Sequence, residues 1–265
     1  MSVLYLYEFK NCGVILMFGR FVLFICSFLI ILSSCSSMNQ GVSKIKQAES
    51  IRNLGEAYLA AGNSTLALRE FLKAYHLNRQ DAYLHNDLGL AYLAKNRLRK
   101  SVEHFKKAVE LKPDFAPAIN NLGTSYLALK EWDKAIRTFL PLTKNILYAT
   151  PQYAESNLAF AYLSKGNYIK AEYHYNNAID LAPNYVIAKR GLAILYRNRK
   201  EYKKALKLLK AALRISPKDG ELYFQYAKTL EANGNVEKAK KAYVNAIKFG
   251  EEKLSEKAQK RLGLL

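Results

Sequence analysis

The sequence predicts an all-α solenoid of six helix-turn-helix repeats with a C-terminal capping helix. Three observations carry that reading. A Leu-Gly-x-x-Tyr signature at Leu54-Gly55-x-x-Tyr58 returns after 34 residues at Leu88-Gly89-x-x-Tyr92, and after 34 more at Leu122-Gly123-x-x-Tyr126. After a two-residue slip it continues as Leu158-Ala159-x-x-Tyr162, Leu192-Ala193-x-x-Tyr196 and Tyr226-Ala227-x-x-Leu230. Small and large residues also recur at fixed places inside each unit, and Gly and Pro punctuate the units where helices must stop. A fixed period of this size is the mark of a stacked array, in which each unit buries its apolar face against its neighbours.

With Leu54-Gly55 set as positions 7 and 8, the units run 48–81, 82–115, 116–149, 152–185, 186–219 and 220–251. Position 20 is Ala67, Ser101, Ala135, Ala171, Ala205 and Ala239, and position 27 is Ala in all but one unit. These small residues let two helices approach closely. Position 24 is large (Phe71, Phe105, Phe139, Tyr175, Leu209, Tyr243) and fills the space between them. Gly62-Asn63, Gly166-Asn167 and Gly234-Asn235 fall where the first helix of a pair must end, and Gly ends a helix at low cost. Pro113, Pro183 and Pro217 at position 32 close the second helix. Pro141 lies inside the second helix of the third unit, which it should kink or shorten. Residues 252–265 place Leu254, Ala258 and Leu262 at i, i+4 and i+8, the pattern of an amphipathic cap.

The 265 residues are half apolar and carry a net charge of +19. Such a basic balance first suggests nucleic acid. The N-terminus argues against it. Residues Phe21 to Leu32 form an apolar run too short to span a bilayer comfortably but of signal-peptide length. Leu32-Ser33-Ser34-Cys35 follows, and resembles a bacterial lipobox, which implies a signal peptide over 1–34 and lipid modification of Cys35. Met17-Phe18-Gly19-Arg20 provides a start and a basic flank, so initiation is expected at Met17. Ser36, where an Asp would signal inner-membrane retention, implies the periplasmic face of the outer membrane. Residues 35–47 read as the lipidated Cys and a flexible polar tether. Cys12, Cys26 and Cys35 are the three cysteines. Cleavage before Cys35 leaves one, so no internal disulfide forms.

The repeat pattern as a whole resembles the tetratricopeptide repeat over nearly all of the mature chain. In that fold, positions 2, 5, 6, 9, 12 and 13 of the first helix face a concave groove. Position 6 is Asn53, Asp87, Asn121, Asn157, Gly191 and Gln225, and position 5 adds Asn86 and Asn120. Such carboxamides can donate to and accept from the main chain of an extended peptide. They can equally bridge neighbouring helices, and the sequence is compatible with both roles. Tyr83, Tyr153 and Phe224 could add apolar contacts. The fifth unit holds eleven Lys and Arg against Glu201 and Asp219. Of these, Lys203, Lys207, Lys210 and Arg214 share one face of its second helix. They are either a solvated face or a contact for an acidic partner or anionic head groups. Trp132 reads as a packing residue between helices.

The segment Leu147-Tyr148-Ala-Thr-Pro151 and Asn157, together with the lipobox, short tether and six repeats, resembles the type IV pilus biogenesis lipoproteins of the PilF/PilW family. That resemblance implies a pilotin, which brings secretin subunits to the outer membrane and assists their assembly. Two other readings remain open. One is an NlpI-like scaffold for peptidoglycan hydrolases or a periplasmic protease. The other is a factor assisting insertion of lipid or outer-membrane proteins. The sequence has no phosphate loop, dinucleotide fingerprint or HExxH. His76, His85, His104 and His174 are scattered over different helices. Binding to protein partners, with no catalysis, cofactor or metal, is therefore expected.

Overall fold

The computed structural model describes residues 42–145 and 148–265. The expected signal peptide over 1–34, Cys35 and Leu147 lie outside the described residues. Among the described residues there are thirteen α-helices and no strand. They are α1 (42–60), α2 (Ser64–Leu77), α3 (Ala82–Ala94), α4 (Leu98–Leu111), α5 (Ala116–Ala128), α6 (Trp132–Phe139), α7 (Pro151–Ser164), α8 (Tyr168–Leu181), α9 (Val186–Asn198), α10 (Tyr202–Ile215), α11 (Gly220–Ala232), α12 (Val236–Phe249) and α13 (Glu252–Leu262). Two compact units result, one ending at Leu84 and one covering His85–Leu265.

In the first unit, α1 and α2 form a helix pair. A Cβ on Gly55 would lie 2.5 Å from the Phe71 ring, so this glycine is what lets the ring lie flat on α1. Arg52 reaches Asp81 at 3.1 Å and Glu56 at 3.2 Å. The helix starts earlier than the repeat frame required. Residues 42–47, read from the sequence as part of the tether, are helical. Lys44, Lys46 and Gln47 have good helix propensity, and Ala48 just beyond them is buried. Val42 and Ile45 of this turn remain about half exposed, so the segment covers little apolar surface, which is why the pattern did not separate it from a linker.

In the second unit each pair packs on the next. The first helices of successive pairs touch one another directly, α5 on α7, α7 on α9, α9 on α11, and α11 on the cap α13. They line the inner side, while the second helices α4, α6, α8, α10 and α12 stand outside. The core follows the small-large rule. Phe105 and Phe139 are fully buried against Gly89 and Gly123, where a Cβ would sit 2.5 Å from the ring. Ala171, Ala178, Ala205, Ala212, Ala239 and Ala246 are all fully buried at helix crossings.

The turn inside each pair has one geometry. Gly62, Gly166 and Gly234 have φ of +77°, +77° and +79°, as their placement predicted. The three other units adopt the same left-handed turn without glycine, at Asn96, Lys130 and Lys200, with φ of 55°, 60° and 62°. In two of the three Gly turns the Asn after the glycine also has a task; Asn235 makes no side-chain cap bond. Asn63 accepts from the Leu66 amide and Asn167 from the Lys170 amide, each at 3.1 Å, so the side chain caps the second helix.

Pro141 acts as its position suggests. Helix α6 stops at Phe139 after 8 residues, where the other second helices have 14. A 3₁₀ turn over Leu142–Lys144 replaces the lost turns. Leu142 and Tyr148 are buried and join the core of Phe139, Ala154 and Leu158. The two-residue lengthening is thus absorbed by packing. No helix among the described residues is long and apolar enough to cross a membrane.

Candidate functional site

The inner side of the second unit is built by α3, α5, α7, α9 and α11. Its first part is a ladder of carboxamides. Asn121 donates to the Asn86 side-chain oxygen at 3.0 Å, and Asn157 donates to that of Asn120 at 3.4 Å. Asn86 also donates to Asp87 at 3.4 Å and is only 7% exposed. Asn86 therefore orients Asn121 and does not itself present a free amide. Asn120, Asn121 and Asn157 are half-buried and keep donors and acceptors beyond these bonds. The helix-bridging role is thus realised, and it holds the amides in fixed orientation along the inner face.

The other predicted contacts are divided between the two units. Asn53 is exposed on α1, and Tyr83 is exposed with the Arg52 guanidinium 5.5 Å from its ring centre. In the second unit Tyr153 is exposed on α7, its ring 5.3 Å from that of Tyr185. Burial pushes the Tyr185 hydroxyl up from its ordinary pKa, with a bond to Ser156 opposing the shift. Trp132 packs edge-on to Phe160 of α7 at 6.1 Å, an inter-helix contact. On the outer side Lys203, Lys207, Lys210 and Arg214 are all exposed on α10. The ion pairs of that helix run instead through Glu201, to Lys204 at 2.6 Å and Arg199 at 2.7 Å.

The second part of the inner side was not singled out from the sequence. Between α7 and α9, with α11 at its rim, an opening of about 220 Å³ is lined by Asn157, Phe160, Ile187, Arg190, Ile194 and Glu221, among others. Apart from Tyr175 at its base, its lining residues occupy positions 2, 5, 6, 9 and 12 of their units. Phe160 and Ile187 are 45% and 50% exposed, far more than packing residues of their size. The opening exists because position 6 is Gly191 here and a polar side chain in every other unit. That one break in the polar series was the available signal. Beside it, Arg197 donates to the Gln225 side chain at 2.8 Å, and Gln225 donates to Glu221 at 2.7 Å. Burial lowers the Arg197 pKa. Among the described residues no cluster of three or more His, Cys, Asp or Glu is placed to hold a metal.

An inner face of fixed amides and exposed apolar side chains, on a stack of helix pairs, defines a scaffold for protein contacts. Tetratricopeptide-repeat models match residues 82–115, 151–218 and 197–248. These segments are tetratricopeptide repeats, and the fold is a tetratricopeptide-repeat solenoid. No curated protein matches the sequence. Among solved structures, the chain is similar to PilW, described as a widely conserved type IV pilus biogenesis factor. The identity is 18%, the TM-score 0.69, and the match covers 74% of this chain and 90% of that one. It is also similar to PilF of Pseudomonas aeruginosa, with 17% identity, TM-score 0.67, and 83% and 99% of the two chains covered. A tetratricopeptide repeat protein from Parabacteroides merdae matches with 19% identity, TM-score 0.66, and 83% and 90% coverage.

Proposed function

We propose that this chain is a lipid-anchored, non-enzymatic interaction protein that holds protein partners on the periplasmic face of the outer membrane, and that its role is to assist type IV pilus secretin localisation and assembly. The observation that supports this most is the coincidence of the lipobox ending at Cys35 with a solenoid that matches PilF over 99% of its length. A lipid-tethered solenoid can hold a subunit beside the membrane without energy input, and tethering raises the local concentration of what it holds. Partner binding is assigned to the inner face, at Asn120, Asn121 and Asn157 with Tyr153. The buried Asn86 supports Asn121, and Asn53 and Tyr83 of the first unit are proposed as contacts of that unit by itself.

Deletion of the gene tests the role. Secretin should be made but remain monomeric on gels run without heating, and Cys35→Ser should reproduce this by leaving the chain unprocessed or soluble. Normal secretin multimers in the deletion strain would overturn the pilotin reading. Altered wall cross-linking in the same strain would then support the peptidoglycan scaffold, and a general loss of outer-membrane barrels the insertion factor. For the inner face, Asn120→Ala, Asn121→Ala and Asn157→Ala combined should abolish partner capture. Each hydrogen bond contributes about 1 kcal/mol, so single changes should weaken capture mildly.

A further inference from the structure

The opening between α7 and α9 contains a cation with no carboxylate bonded to it, its charge felt at the Tyr175 and Tyr185 hydroxyls. Arg190, at position 5 of its unit, is half-buried and makes no hydrogen bond or ion pair among the described residues. Its neighbours in the opening are mainly apolar. Phe160 and Ile187 are exposed, and Ile194 lies one turn along α9 from Arg190. The one carboxylate on the rim, Glu221, already accepts from Gln225, which is in turn held by Arg197. A guanidinium carries five N–H donors in a planar fork, and a carboxylate satisfies two of them at once. The low polarity of the surroundings strengthens such a pair relative to one in open water. The unit that supplies Arg190 also has the largest excess of positive charge in the chain, which draws anionic segments toward it.

We propose that this opening is a specificity pocket for a peptide segment that presents a large apolar side chain next to a carboxylate. The apolar side chain seats over the gap left by Gly191, against Phe160, Ile187 and Ile194, and the carboxylate is taken by Arg190. Asn157 at the edge supplies a donor and an acceptor to the main chain of the same segment. The inference rests on the inner face being the partner-binding surface, and it names the chemistry of the partner. A neutral or basic segment of the same apolar character is bound less well, because it leaves the guanidinium unpaired and half desolvated.

The test uses the full 265-residue chain and two synthetic peptides, acetylated and amidated at their ends. One has Leu-Phe-Asp-Asp at its centre and the other Leu-Phe-Asn-Asn, between identical Ser-Gly flanks. Affinity is read by fluorescence anisotropy, and the site by replacing the Phe with a photo-crosslinking analogue. The acidic peptide should bind at least about tenfold more tightly, the ratio expected when one charge-assisted bond is lost. Its crosslinks should fall on α7 and α9. Arg190→Gln should remove the preference for the acidic peptide, and Arg190→Lys should keep part of it. Both variants should retain the wild-type circular dichroism and a melting temperature close to wild type, since Arg190 makes no hydrogen bond or ion pair among the described residues.

Equal binding of both peptides, with crosslinks on α7 and α9, would overturn the acidic specificity and leave the inner-face reading standing. Crosslinks on α10 at Lys203 or Lys207, insensitive to Arg190→Gln, would overturn the pocket in favour of the outer basic face. Failure of both peptides to bind would also overturn it. The inner-face reading is tested apart from these, by whether partner capture survives the combined change at Asn120, Asn121 and Asn157.

Discussion

The Tyr175 ring lies directly under Gly191. A Cβ at residue 191 would sit 2.4 Å from two ring carbons and 2.5 Å from the hydroxyl oxygen. In three other repeats the large residue at position 24 packs on a glycine of its own pair, as Phe105 does on Gly89. Here position 8 is Ala159, and the ring meets the first helix of the next repeat instead. Gly191 therefore couples the fourth and fifth repeats and forms the floor of the opening at Arg190. Gly191→Ala should lower stability to urea by about 1–3 kcal/mol, the usual cost of overfilling a packed core. Tyr175→Leu in the same chain should recover part of that loss. Additive effects in the double mutant would show that the two residues are not coupled.

Three repeats place a residue with a Cβ in the left-handed turn. Lys130 and Lys200 have φ near +60°, a region that costs an L-residue roughly 1–2 kcal/mol. Asn96 tolerates it better, because its short polar side chain can bond locally. Lys130→Gly and Lys200→Gly should each stabilise the chain by about 1 kcal/mol, with the gain from Asn96→Gly smaller. The denaturation midpoints of the three single variants give the order directly. A loss of stability in both lysine variants would mean that the added freedom of the unfolded chain outweighs the relief of strain.

These turns also show where the sequence was and was not readable. Position in a 34-residue frame told which residues are small, which are large and where helices stop, because those requirements are local or repeat in every unit. It located the shortened α6, since a Pro at residue 141 acts on its own backbone. It did not reveal the left-handed turns at Lys130 and Lys200, because propensity alone disfavours them and only the repeat geometry imposes them. The start of α1 was misplaced for the opposite reason. Residues 42–47 mix Val42 and Ile45 with Ser, Lys and Gln, and both apolar side chains stay about half exposed, so burial does not mark the helix start. At the candidate site, the frame named Asn121 and Asn157 but could not tell that Asn86 and Asn120 accept their bonds. Arg190 went unremarked, because a lone Arg in a unit of eleven cations has no pattern to mark it. That it bonds no carboxylate becomes visible only in the structure, where Glu221 nearby is bonded to Gln225.

The far end of the array depends on α13. Its Ala258 is fully buried, and Leu262 and Leu265 pack on the core of Ala239, Tyr243 and Ala246. Arg261 of the cap binds Glu231 of α11, which also accepts the Tyr243 hydroxyl at 2.7 Å. The Arg261 bond holds the Glu231 carboxyl below its ordinary pKa. Removing residues 252–265 should uncover this apolar face. The truncated chain should melt at lower temperature and self-associate, as a repeat array without a polar cap does. Light scattering across a concentration series checks this. A truncated chain that stays monomeric and equally stable would deny α13 its capping role.

The second and fourth repeats carry the same buried arrangement with one residue exchanged. At positions 4 and 23, the fourth repeat has Glu155 and His174, bonded at 2.6 Å, with Tyr162 stacked on the imidazole. The second repeat has His85 and His104, 3.1 Å apart, with Tyr92 stacked in the same way. Burial lowers the His104 pKa to about 4, and the charges of His85 and Lys100 push in the same direction. The unfolded chain therefore takes up this proton near pH 6.5, and the folded chain only near pH 4. Where the unfolded state binds more protons, stability rises with pH. The contribution is accordingly full above about pH 6.5 and is lost as pH falls toward 4. Urea midpoints measured between pH 7.5 and 4.5 should decline through that window, and His104→Phe should flatten the part above the carboxylate range. His85→Glu rebuilds the pair of the fourth repeat. It places a carboxylate against the imidazole, so that the protonated form is favoured in the folded chain, and the decline between pH 6.5 and 5 should shrink or reverse. An unchanged slope in both variants would place the acid sensitivity outside this pair.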